Sequence, residues 1–177
     1  LNDDHMTIVP GSKGITSKEK FCDMQMHIEW KTPDKLKGLS GQRWGNSGIF
    51  IQGRYELQVL DSYENPIYSN GQAGSIYKQA IPMVNASKPP KQWQSYDIIY
   101  RAPRFSESGK VEEKAIITVL HNGVLIQYNT EIQGPTRFRG KPAYTKAHGC
   151  APIYLQEHND KVSYRNIWVR KLDLADR

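Results

Sequence analysis

The sequence of 177 residues holds only two cysteines, Cys22 and Cys150. A disulfide framework or a zinc site needs more ligands, or closer ones, so both are excluded. Two arrangements remain. One is a single long-range bridge, if the strands carrying the two cysteines are neighbours. The other is a pair of buried thiols, and this is the expectation. No apolar run approaches the ~18 residues of a membrane span, and the mean hydropathy is −0.66. No window of eleven or more residues shows a clear 3.6-residue apolar period, so long amphipathic helices are excluded. Internal repeats and low-complexity tracts are absent. There is no HxxxH pair and no Asp/Asn-rich calcium loop. No cofactor and no essential metal are expected.

One further scarcity is local. No acid occurs between Glu131 and Glu157, while Arg137, Arg139, Lys141 and Lys146 all do. Elsewhere the 24 basic and 18 acidic residues are interleaved, leaving a net charge of +6. Nucleic-acid binders concentrate charge on a face or an arm. A single Gly/Pro-rich basic loop reads instead as a solvated loop or an anion contact, and no nucleic-acid partner is expected.

What is present is β-structure. Cys22, Met24, Met26, Ile28 and Trp30 alternate with polar residues, giving a half-buried strand over Phe21–Trp30. Tyr55, Leu57 and Val59 share one face of the next clear strand, and Glu56 and Gln58 share the other. Trp93–Arg101, Ile153–His158 and Val162–Leu172 read as further strands. Trp30 and Trp168 fall at core positions of the alternation. Between Ala115 and Thr130, two apolar runs flank Asn122-Gly123, which suits a type I′ hairpin. Its lack of formal charge, apart from His121, predicts a central place in a sheet. Eight or more strands without helices imply an all-β fold, a two-sheet jelly-roll sandwich. The length of 177 residues fits one domain over 1–177. The loop Asn65–Pro90 is long enough to be functional.

The chemistry-bearing stretch is Gly45–Asp61. A bulge after Gln58 would bring Asp61 onto the face of Glu56 and Gln58. The i, i+2, i+5 line is similar to the Glu-x-Asp-x-x-Glu line of laminarinase-type glycosidases, with Gln58 in place of the middle acid. A bland reading pairs Glu56 with Arg54 or Arg101 on an exposed face.

Eight blocks in order carry a wider resemblance: Gly45–Phe50, Tyr55–Ser62, Gly71–Tyr77, Val84–Pro90, Trp93–Asp97, Arg101–Phe105, Leu120–Val124 and Tyr164–Trp168. Over about Phe21–Leu172 the chain resembles the 3-keto-disaccharide hydrolase domain family, whose Asp-Gly opening strand is shortened or absent here. The resemblance implies a concanavalin A-like jelly roll. It also implies an enzyme that cleaves glycosides carrying a ketone at C3, by C2 proton abstraction and elimination or net hydrolysis. A carbohydrate is then the partner. The alternative is a non-catalytic, lectin-like carbohydrate-binding module on the same fold.

On this reading Glu56 is the base, with Asp61 as second choice and His158 as a site histidine. Asn46, Arg54 and Gln58 hold sugar hydroxyls or the enolate. Tyr77 and Lys78 are acids or donors, and His121 is a weaker candidate at a hairpin end. Trp44 and Trp93 are candidate stacking platforms. The family and the start at Leu1 imply the mature part of an exported bacterial protein.

Overall fold

The structure, a computed structural model, describes residues 4–34 and 38–174. Twelve strands follow in chain order. They are β1 (Met6–Thr7), β2 (Ile15–Thr16), β3 (Met24–Lys31), β4 (Ser47–Ile51), β5 (Tyr55–Val59) and β6 (Gln94–Arg101), then β7 (Arg104–Phe105), β8 (Val111–Glu113), β9 (Ile116–His121), β10 (Val124–Glu131), β11 (Tyr154–Leu155) and β12 (Ser163–Lys171). Six of them form a large sheet in the order β1-β12-β3-β6-β9-β10, and four a smaller one, β2-β11-β4-β5. β7 and β8 make a separate ribbon. All named pairs are antiparallel.

The two sheets bury one apolar layer between them. In β3, Met24, Met26, Ile28 and Trp30 point inward and the intervening residues do not. They share a core cluster with Tyr96, Ile98 and Tyr100 of β6 and Ile117 and Val119 of β9. Ile49, Ile51, Tyr55, Leu57 and Val59 of the small sheet belong to the same cluster. This is the two-sheet jelly-roll sandwich that the strand pattern predicts.

The Asn-Gly hairpin is present, with φ of 54° at Asn122 and 79° at Gly123, and Val124 opposite His121. It is not central: β10 is an edge strand of the large sheet. Two register shifts in β10 and a left-handed Asn129 interrupt its pairing, as edge strands often require. Low charge therefore marks an irregular edge here, not a sheet centre.

Trp30 is in the core, but Trp168 is 44% exposed and stacks on the His27 ring. The cause is a bulge in β12. The register slips between Arg165 and Trp168, and Asn166 takes a φ of 46°. One extra residue turns the following side chains to the other face.

Cys22 and Cys150 form a disulfide, 128 residues apart in sequence. The expected pair of thiols is thus replaced by the bridge. The strand segments bearing the two cysteines are neighbours, with Phe21 bridged to Ala151.

Candidate functional site

The outer face of the small sheet carries the candidate site. Across β11, β4 and β5 the rows run Tyr154–Phe50–Glu56, with Gln156 N–H bonded to Gly48 O and Gly48 opposite Gln58 in the next row. Gly48 leaves a gap one side chain wide, and the Glu56 carboxyl occupies it. A Cβ at Gly48 would lie 2.7 Å from Glu56 Oε1 and 3.1 Å from the Phe50 ring. Gly48→Ala should therefore keep the fold and displace the carboxyl, and any turnover that depends on Glu56 should fall by about tenfold or more, since small misplacements of reacting groups are costly. Steady-state kinetics beside a thermal melt checks this; full activity would show that the close approach is unimportant.

Two loops complete the walls. The segment after β5 folds back along the free edge of that strand. Gly74 N–H donates to Gln58 O, Gln58 N–H to Ser75 O, and Tyr77 N–H to Glu56 O. That pairing carries Tyr77 and Lys78 to the side of Glu56. On the other flank, Thr136 N–H donates to Arg54 O, and Glu56 N–H donates to Thr136 Oγ1 at 3.0 Å. The result is a cavity of about 750 Å³. Glu56, Gln58, Asn46, Gln42 and Gln156 give it polar groups from the small sheet and the segments flanking it, and Phe50, Tyr68, Tyr77, Lys78, Thr136, Phe138 and His158 complete the lining.

Glu56 is 5% exposed. Among the described residues, no side chain or backbone donor bonds its carboxyl and no cation pairs with it, so the bland pairing with Arg54 or Arg101 does not occur. Arg101 pairs with Glu113, and Arg54 Nη1 donates to Gln52 O. Burial alone pushes the Glu56 pKa up to about 8, from 4.5. A carboxyl in this state is a stronger base than an exposed one.

Around it the polar groups are ordered. Gln58 Nε2 donates to Asn46 Oδ1 at 2.9 Å, and Asn46 Nδ2 donates to Gln42 Oε1 at 2.9 Å. Gln42 Nε2 in turn bonds Gly71 O at 2.6 Å. These amides hold one another in fixed orientations, which pre-organises that part of the lining. Tyr68 and Tyr77 share a hydroxyl–hydroxyl bond of 2.8 Å. Burial, the Tyr68 bond and the Glu56 charge all raise the Tyr77 pKa, so its phenol stays protonated and remains a proton donor.

Of the residues singled out in the sequence, Glu56, Gln58, Asn46, Tyr77, Lys78 and His158 line this cavity. The others do not. β5 ends at Val59 with no bulge, and Asp61 lies in the turn beyond it. There Asp61 Oδ1 accepts the Tyr63 N–H, and its backbone carbonyl accepts from Asn65. Arg54 closes the β4–β5 turn. Trp44 is fully buried. Trp93 is on the outer face of the large sheet, with the Arg165 guanidinium 4.1 Å and the Lys31 ammonium 4.5 Å from its ring centre. His121 is a core histidine. It lies 5.5 Å from Trp30 and 4.8 Å from Tyr96, and bonds Gln94 Oε1 at 2.8 Å. Burial first, then the Lys88 charge, push its pKa down to about 3, so it is neutral and cannot shuttle protons near pH 7.

Gln42, Phe50, Tyr68, Thr136, Phe138 and Gln156 complete the lining without a sequence signal that marks them. Gln42, Tyr68, Thr136 and Phe138 come from loops or turns without periodicity, Phe50 from the outer face of β4, and Gln156 from just beyond the short β11. Among the described residues no group of three or more His, Cys, Asp or Glu is arranged to hold a metal, and no helix is long and apolar enough to cross a membrane.

The chain is similar to several known structures. A crystal structure named a "putative glycosyl hydrolase" from Parabacteroides distasonis is 49% identical, with a TM-score of 0.92, over 97% of this chain and 73% of that one. Two others from the same organism, named alike, share 19% and 15% identity with TM-scores of 0.68 and 0.64. They cover 97% and 94% of this chain and 88% and 80% of theirs, and they show the fold alone. No curated protein matches. The model of the 3-keto-alpha-glucoside-1,2-lyase-like domain matches residues 2–170, so the chain belongs to the family that the eight sequence blocks resemble.

Proposed function

We propose that this protein cleaves the glycosidic bond of 3-keto-glycosides, with Glu56 as the base. The carrying observation is the Glu56 carboxyl itself: buried, unpaired, facing a cavity, and held to about 8. The ketone at C3 makes the C2 proton acidic. Glu56 takes that proton, and the electron pair passes to the C3 oxygen as an enolate. Preorganised donors stabilise such an oxygen; the Gln156 amide and the Tyr68–Tyr77 hydroxyls line the same cavity. Collapse of the enolate breaks the bond from C1 to the leaving oxygen, which takes up a proton. The products are an unsaturated keto sugar and the free alcohol, and water can add to the former. One base suffices, so Gln58 in place of an acid fits this chemistry, whereas a two-carboxylate glycosidase needs a second titrating group.

A purely binding module needs aromatic platforms and no base. Trp44 and Trp93 are not in the cavity; its rings are those of Phe50, Tyr68, Tyr77 and Phe138, and the buried, unpaired Glu56 carboxyl beside them, which binding alone does not need, supports the catalytic reading. The disulfide suits an oxidising compartment, and we place the protein outside the bacterial cytoplasm.

Incubation with a 3-keto-glucoside and with the unoxidised glucoside tests the reaction. Cleavage of only the keto substrate is expected; equal rates on both would refute the keto requirement. The pH profile tests the base. Glu56 acts ionised, and its pKa is raised to about 8. Activity should climb about tenfold per pH unit below 8 and level off above it. A profile flat from pH 5 to 9 would exclude Glu56.

A further inference from the structure

The acid-free basic segment has a place in this site. Its loop supplies Thr136 and Phe138 to the main cavity, and Phe138 and Gly140 to a second cavity of about 460 Å³. The second cavity is completed by Tyr68, Asn70 and Lys78, and the two cavities share Tyr68, Lys78 and Phe138. It is therefore an outer compartment of the same cleft. No carboxylate lines it.

One cation, Lys78, lines the outer compartment, and a second, Arg139, lies against the same Phe138 ring without lining either cavity. The Lys78 ammonium is 4.3 Å and the Arg139 guanidinium 5.9 Å from the centre of Phe138, which is itself 66% exposed. Ring faces attract cations, but they do not neutralise them. Lys78 and Arg139 make no ion pair, and neither do Arg137 and Lys141 of the same loop, among the described residues. The lysine is also held in an uncommon backbone state. Its φ is 58°, the left-handed region, fixed by its N–H bond to Asn70 O at 2.8 Å and by its Nζ bond to Phe138 O at 3.1 Å. Strained non-glycine residues of this kind gather at ligand sites. Like charges held together with no counter-charge, beside an open compartment, ask for an anion.

We infer that the outer compartment binds a negatively charged leaving group, a carboxylate or sulfonate-type anion on the part of the substrate attached at C1. This rests on the reading above. If C2 of the reacting ring meets Glu56 at the buried end, the C1 substituent extends toward the mouth. Lys78 lines its path there, Arg139 adds positive charge from beside the Phe138 ring, and the Phe138 and Tyr68 rings supply its apolar contact.

Matched pairs of 3-keto-glucosides test this. The 4-carboxyphenyl glycoside is compared with its 4-carbamoylphenyl counterpart, and the 4-sulfophenyl with the 4-sulfamoylphenyl; the two pairs separate carboxylate from sulfonate recognition. In each pair kcat/KM should favour the anion by about fivefold or more at low salt, the scale of two exposed ion pairs. The ratio should fall toward one by about 0.5 M salt, where screening is strong. It should also collapse in a Lys78→Met, Arg139→Gln variant. A ratio near one in wild-type protein overturns the inference, as does a preference that survives high salt or the double substitution. If none of the four is cleaved, the catalytic reading fails, and binding of the unoxidised glucosides decides the anion site separately. Amide shifts at Asn70 and Gly140 that saturate at lower concentration for the carboxylate than for the amide support it. Equal dissociation constants overturn it.

Discussion

Glu56→Gln is expected to lower kcat/KM on a 3-keto-glucoside by about a hundredfold or more, since a positioned general base is worth roughly 10²–10⁴. Gln has nearly the same shape, so the cavity and the amide chain from Gln58 to Gln42 should persist. The same substitution has an opposite effect on stability. The Glu56 pKa is raised from 4.5 to about 8 by burial, so the folded state keeps its proton where the unfolded state has lost it. Wild-type stability from this group is therefore fully present below about pH 4.5 and declines as pH rises to about 8. Over that window the loss is on the order of several kcal/mol. Gln does not titrate, so the difference in melting temperature between variant and wild type should grow in the variant's favour from pH 5 to pH 8. A variant that is inactive but shows a pH-independent stability difference would place Glu56 in water, with an ordinary carboxyl. A variant that retains full activity would remove it from the chemistry. The two measurements thus separate catalysis from burial.

The parts of the fold that sequence patterning shows are those made by alternation. β3, β5 and β6 each put a row of apolar residues on one face, and those rows form the core. The same alternation separates Glu56 and Gln58 from Tyr55, Leu57 and Val59, which is enough to put two polar residues on a sheet face. It fails wherever the period of two is broken. A single left-handed residue at Asn166 reverses Trp168, and the absence of a bulge after Gln58 leaves Asp61 in a turn. His121 is the instructive case. Position beside an Asn-Gly turn suggests exposure, but the long loop bonds that turn through Asn122 Nδ2 to Ala86 O, and Trp30 of β3 with Tyr96 and Gln94 of β6 completes a buried pocket around it. The loops are least legible. Tyr68, Thr136 and Phe138 reach the cavity through backbone pairing of irregular segments to β5 and its turn, which no local pattern encodes. Gly48 was visible as part of a motif. Its reason, room for the Glu56 carboxyl, needed the register of β4 on β5.

The disulfide has the largest expected effect on stability. Cys22 precedes β3, and Cys150 ends the long basic loop ahead of β11, so the bridge ties the entry to a strand of the large sheet to the loop that walls the cleft. The closed loop spans 128 residues. In the chain-entropy view a loop of this size restrains the unfolded chain by about 4–5 kcal/mol, and loss of a native bridge typically costs 2–5 kcal/mol. For a chain of this length each kcal/mol moves the melting temperature by about 2–4 °C. Cys22→Ser, Cys150→Ser should therefore melt about 10 °C lower than wild type, and reduction of the wild-type protein should do the same. Much of this acts through the unfolded state, so the folded cleft should be little changed at room temperature. Thr136 is bonded to Arg54 O and to Glu56 N–H, contacts that do not involve either cysteine. Activity at 25 °C should then fall far less than stability, and unfolding measured with and without reductant provides the check. A melting temperature unchanged by reduction would mean that the Phe21–Ala151 pairing and the core already restrain this loop, leaving the bridge without thermodynamic weight. Activity lost in parallel with stability would mean instead that the bridge positions the loop bearing Thr136 and Phe138 over Glu56.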